Sequence, residues 1–76
     1  MAVSSTLPTV AQIRLDIERY KDGLEAIRYL EARSDSAEEA DRMFDIALAY
    51  TDRLNALHRD LMYAEFALYI DTQLAA

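Results

Sequence analysis

Seventy-six residues with fourteen acids, eight bases and a formal charge of −6 confine the chain to one small acidic domain. They argue against a general DNA-coating role, which draws its affinity from Lys and Arg on phosphates. The absence of cysteine and the single histidine leave no disulfide, thiolate zinc site or histidine cluster, so no cofactor or metal is expected.

Thirteen alanines and ten leucines within a 53% apolar composition point to packed helices, and a domain of this size leans on a partner subunit. Residues 1–8 hold small polar side chains and the sole proline. They read as an irregular N-terminal arm whose Val3 and Leu7 lie against a neighbour. The start lacks the cationic and long apolar regions of a secretory signal. The most apolar stretch, Leu61 to Ile70, is about half the length of a bilayer-spanning helix. A cytoplasmic chain with no membrane contact is expected.

A first helix is expected over residues 9–33. Thr9 and Gln12 stand in capping-box relation, and Val10, Ile13, Ile17, Tyr20, Leu24 and Ile27 follow in alternating steps of three and four, forming one apolar seam that Leu30 broadens. Gly23 interrupts this run at a cost of about 1 kcal/mol against alanine, so it is either an ordinary defect or a place where another backbone comes close.

The pattern stops at Arg33-Ser34-Asp35-Ser36. Ser36 and Glu39 form a second capping box, with Glu38 and Glu39 suited to the helix dipole. From there neither proline nor glycine occurs, and Ala40, Met43, Ala47, Tyr50, Leu54, Leu57, Leu61, Ala64 and Leu68 keep one unbroken seam. A single helix over residues 36–75 is expected, the alternative being a break near 51–55 or 58–60.

Helices of these lengths measure about 37 and 60 Å. A short turn makes them antiparallel, placing Ile27 near Ala40 and Val10 near Leu57 to Leu61. Beyond that point α-helix apolar on every side has no cover of its own. The expected fold is therefore all-α: an antiparallel helical hairpin, with a short first and a long second helix, that assembles as a homodimeric four-helix bundle within residues 9–76. The dimer interface is expected at Leu61, Met62, Tyr63, Phe66, Tyr69, Ile70 and Leu74.

Little in the chain suggests catalysis. His58 stands alone and reads as an interface histidine. The pairs Asp41 with Asp45 and Glu18 with Asp22 read as solvated faces rather than acid–base or metal sites. Glu65 within the apolar decade and Asp71 on the seam phase call for an Arg or Tyr hydroxyl on a facing helix that sets register between subunits, or for a partner contact. Asp35, Glu38, Glu39, Asp41 and Asp45 gather around the turn. Capping explains much of this cluster, and a phosphate-mimicking patch for a basic protein partner is the sharper reading. Arg14, Lys21 and Arg28 recur every seven residues, for interhelical pairing or for tracking an RNA backbone.

The paired seams over residues 9–60 resemble the Rop family of small antiparallel four-helix dimers, which help paired RNA loops associate. That resemblance implies an RNA-binding dimer working through Arg14, Lys21 and Arg28; the long second helix departs from the family pattern. Ile13-Arg14, Ile17-Glu18 and Leu24 are similar to the first helix of helical chorismate mutases, which implies an enzyme with cations converging on a dicarboxylate. Here the cations after Arg33 are only Arg42, Arg53 and Arg59. In size and charge the chain resembles small phage-encoded inhibitors. The leading expectation is a non-enzymatic acidic adaptor or steric inhibitor, with Leu15, Tyr29 and the acidic turn as contact surfaces.

Overall fold

The computed structural model describes residues 9–75. The expected arm, residues 1–8, lies outside them. Two helices form, α1 (Val10–Ala32) and α2 (Ala37–Ala75), and they fold back on each other as an antiparallel hairpin.

Local chemistry fixes the helix ends. The Thr9 hydroxyl accepts from the Gln12 amide at 3.1 Å while the Gln12 side chain accepts from the Thr9 amide at 3.0 Å, so two donors with no intrahelical partner are satisfied reciprocally. At the start of α2 only half of the expected box forms. Ser36 Oγ accepts from the Glu39 amide at 3.1 Å, but the Glu39 carboxylate turns to the Ser34 hydroxyl at 3.4 Å. The last turn of α1 closes with the amides of Arg33 and Ser34 donating to the carbonyls of Leu30 and Glu31.

α2 is unbroken through both polar stretches that offered an alternative turn. At Thr51 the hydroxyl donates to the Ala47 carbonyl at 2.9 Å, which absorbs the polar group into the helix instead of letting it compete with it. The longest axis of the molecule, 59 Å, matches thirty-nine helical residues at about 1.5 Å each.

The core is thin. Ile13 and Ile17 from α1 meet Leu54 and Leu57 from α2, with Tyr20, Leu24, Leu61 and Ala64 packed around them. Each such burial contributes about 1.5–3 kcal/mol, so four of them are comparable to the whole net stability of a small domain. Nearer the turn, the Tyr20 and Tyr50 rings meet edge to face with centroids 5.1 Å apart. Gly23 marks a close approach, but of a ring rather than a backbone: a Cβ there would lie 2.6 Å from Tyr50 Cε2. The start of α1 reaches about a turn further along α2 than its expected place beside Leu57 to Leu61, since Arg14 already pairs with Glu65 and Ala64 packs on the core.

Candidate interaction surfaces

Ala64 is the last residue of the α2 seam that packs on the core shared with α1, and from Met62 onward the large side chains off that core stand largely in water. Tyr63 is 69% exposed and Leu74 80%, and Met62, Phe66, Leu68 and Tyr69 each keep more than half of their surface open. Ile70 is less open, at 38%. Leu61 departs from the rest of the expected interface, because it packs against the hairpin's own core and is only partly available to a second molecule. Glu65 and Asp71 also depart from the expected burial. Both are exposed, and Glu65 accepts from Arg14 Nη2 of the same chain, so its partner lies within the hairpin itself.

A second row on α2 escaped the sequence reading. Phe44 and Leu48, 52% and 49% exposed, precede Thr51, Asn55 and His58 at steps of four and three. The same stepping reaches Met62, Phe66, Tyr69 and Gln73. These positions mostly follow seam residues by one, about 100° further round the helix. Neither Asp, Glu, Lys nor Arg occupies the row. The polar middle hid the pattern from an apolar count; freedom from charge, in a chain that is 29% charged, was the legible signal.

The acidic residues collect at the turn end. Asp35 is exposed in the connection, Glu38 accepts from Arg42 at 3.1 Å, Glu39 holds Ser34, and Asp41 and Asp45 face solvent. The basic row runs along one side of α1, exposed at all three positions. Arg14 is engaged by Glu65 and Lys21 lies 3.5 Å from Glu18, while Arg28 borders a shallow groove with Glu31, Phe44, Ala47, Leu48 and Thr51. On the outer side of α1, Leu15 and Tyr29 are exposed, and the Arg33 guanidinium stacks 4.5 Å from the Tyr29 ring. Glu18, Asp22, Asp41 and Asp45, the two carboxylate pairs, are all solvent-exposed. Among the described residues no group of three or more His, Asp or Glu is placed to hold a metal ion. No described helix is long and apolar enough to cross a membrane.

Fold and surface together define an all-α hairpin of unequal arms, whose long arm carries apolar side chains beyond the reach of the short one. No family model, curated protein or solved structure matches the chain.

Proposed function

We propose that this chain is a small, acidic, non-enzymatic protein–protein interaction module of the cytoplasm, which self-associates as a homodimeric four-helix assembly and acts as an adaptor or steric inhibitor of another protein. The observation that carries the reading is the uncovered end of α2. Met62, Tyr63, Phe66, Tyr69 and Leu74 stand mostly in water, and each forgoes about 1.5–3 kcal/mol of burial until a protein surface covers it. A twofold dimer supplies cover with one self-complementary patch.

The acidic turn is the proposed contact for the second partner. Asp35, Glu38, Glu39, Asp41 and Asp45 project around one end of the hairpin, with Arg42 alone among them as a counter-charge, and a basic groove that normally holds phosphates is the complementary surface. Light scattering at micromolar concentration is expected to report twice 8.7 kDa; a folded monomer with nothing bound overturns the reading. Reversing Glu38, Glu39 and Asp41 together to lysine is expected to weaken partner capture without changing that mass, and intact capture reduces the acidic turn to a helix cap.

The RNA-binding alternative has the exposure of Arg14, Lys21 and Arg28 in its favour. Against it, carboxylates of the same chain already engage two of the three, which reduces the charge available for displacing counterions. Retention on immobilised RNA that falls steeply with salt and with Arg28→Ala would favour this alternative; retention unchanged by either argues against it.

A further inference from the structure

We propose that a second copy of this chain seats antiparallel along the charge-free row of α2, with the twofold axis passing midway between Asn55 and His58, so that the contact runs nearly the full length of the helix and not only along its uncovered end. The proposal rests on the self-association put forward above and specifies its geometry.

Two observations select a second copy as the occupant. The first is the order of residues along the row. Phe44 and Leu48 form one apolar end, Thr51, Asn55 and His58 the polar middle, and Met62, Phe66 and Tyr69 the other apolar end. Turned end for end about the point midway between Asn55 and His58, the row brings Phe44 of one copy level with Tyr69 of its twin, Leu48 with Glu65 and Phe66, and Asn55 with His58, so that apolar meets apolar at both ends and polar meets polar at the centre, with Thr51 beside Met62. An isologous contact requires this self-complementarity, and an unrelated partner has no reason to match it. The second observation is area. Phe44, Leu48, Met62, Phe66 and Tyr69 are each between 49% and 61% exposed. At roughly 200 Å² for a side chain of this size they offer about 550 Å², and the three polar positions bring the face near the ~800 Å² per partner of a stable interface.

The polar middle is compatible with being covered. The Thr51 hydroxyl is already satisfied by the Ala47 carbonyl. Asn55 of each copy would meet His58 of the other across the axis, where a paired polar position fixes register and orientation, as a buried asparagine does in a coiled coil. The carboxylate beside the row, Glu65, is engaged by Arg14, and Asp41, Asp52 and Arg59 lie towards the outer edge of the face, where water still reaches.

The chain contains no cysteine, so single cysteines report geometry without background. Under mild oxidation a mixture of Asn55→Cys and His58→Cys chains is expected to form a covalent dimer between the two variants. Leu48→Cys alone should not link, because its twin lies about 25 Å away across the axis, whereas a mixture of Leu48→Cys and Phe66→Cys chains should link to each other. Leu48→Glu, at a position half-exposed in the single chain, is expected to keep its helicity and weaken the dimer at least tenfold. Self-linking by Leu48→Cys overturns the antiparallel order. Self-linking by Phe66→Cys with none between Asn55→Cys and His58→Cys chains, or a dimer indifferent to Leu48→Glu, restricts the contact to the tail and overturns this proposal while leaving self-association standing. A monomer by light scattering, with the face covered by residues 1–8 or by another protein, overturns both.

Discussion

Leu54 and Leu57 sit eight and five residues before Met62, in a helix whose Met62, Phe66 and Tyr69 are just as apolar. The leucines are 8% and 3% exposed, while the later side chains are each about 60% exposed. Helix type and propensity are the same for both groups, but the later side chains lie off the seam that faces α1. The second difference is that α1 begins at Val10, about level with Glu65, so that Phe66 and Tyr69 also lie past the point where α2 has anything across from it. Burial in this molecule is decided by whether a position faces the short arm and lies within its length, not by the character of the residue.

The largest test of that contrast is Leu57→Ala against Phe66→Ala. Leu57→Ala should cost 2–5 kcal/mol, enough to unfold most of a domain with so thin a core, whereas Phe66→Ala should stay within about 0.5 kcal/mol at dilutions where the chain is monomeric. Thermal melts followed by helical circular dichroism read both. Equal losses at high dilution would show that the end of α2 is covered from within the chain.

Gly23→Ala sharpens the same comparison inside the covered half. The helix gains about 1 kcal/mol from the better helix former, but crowding a packed ring costs 1–3 kcal/mol. The new methyl meets Tyr50 Cε2 at 2.6 Å, and that ring is held against Tyr20. A net loss of about 1 kcal/mol is expected. In a Tyr50→Ala background the sign should reverse, and a stabilising effect in both backgrounds would mean that the ring moves aside freely.

Thr9→Ala removes the cap that sets where α1 starts, and about 1 kcal/mol of stability with it. Amide exchange should show the loss concentrated in the first turns of α1, next to Leu61 and Ala64. Protection that falls evenly along the hairpin would deny the cap this local role. The smallest effect is expected at Arg14→Ala. The Arg14–Glu65 pair is largely exposed, 62% and 46% for the two side chains, and such pairs contribute about 0–1 kcal/mol, less as salt rises. A change much above that range, or one insensitive to salt, would mean that the pair is shielded by a neighbouring subunit.

Much of the hairpin was legible from local chemistry. The Thr9–Gln12 box, the seam from Val10 to Ile27 and the stop at Ser36 each depend on residues within one or two turns of each other, and those interactions form wherever the chain is helical. Glu39 was misread because Ser34 competes for its carboxylate from across the turn. The backbone expected beside Gly23 proved to be the Tyr50 ring. Phe44 and Leu48 were missed because the row that contains them has a polar middle, and exposure on a folded surface separates such a row from an ordinary solvated face.

The sequence by itself determined two helices, their caps, their unequal lengths and the seam that joins them, because all of these follow from hydrogen bonds and apolar spacing along the chain. Only the tertiary structure decided which seam residues are covered, that Glu65 finds Arg14 within its own chain, and that a second face of α2 stays open from Phe44 to Tyr69. Those outcomes depend on the axial offset of one helix against the other, a quantity set by packing across the hairpin and by no stretch of residues alone.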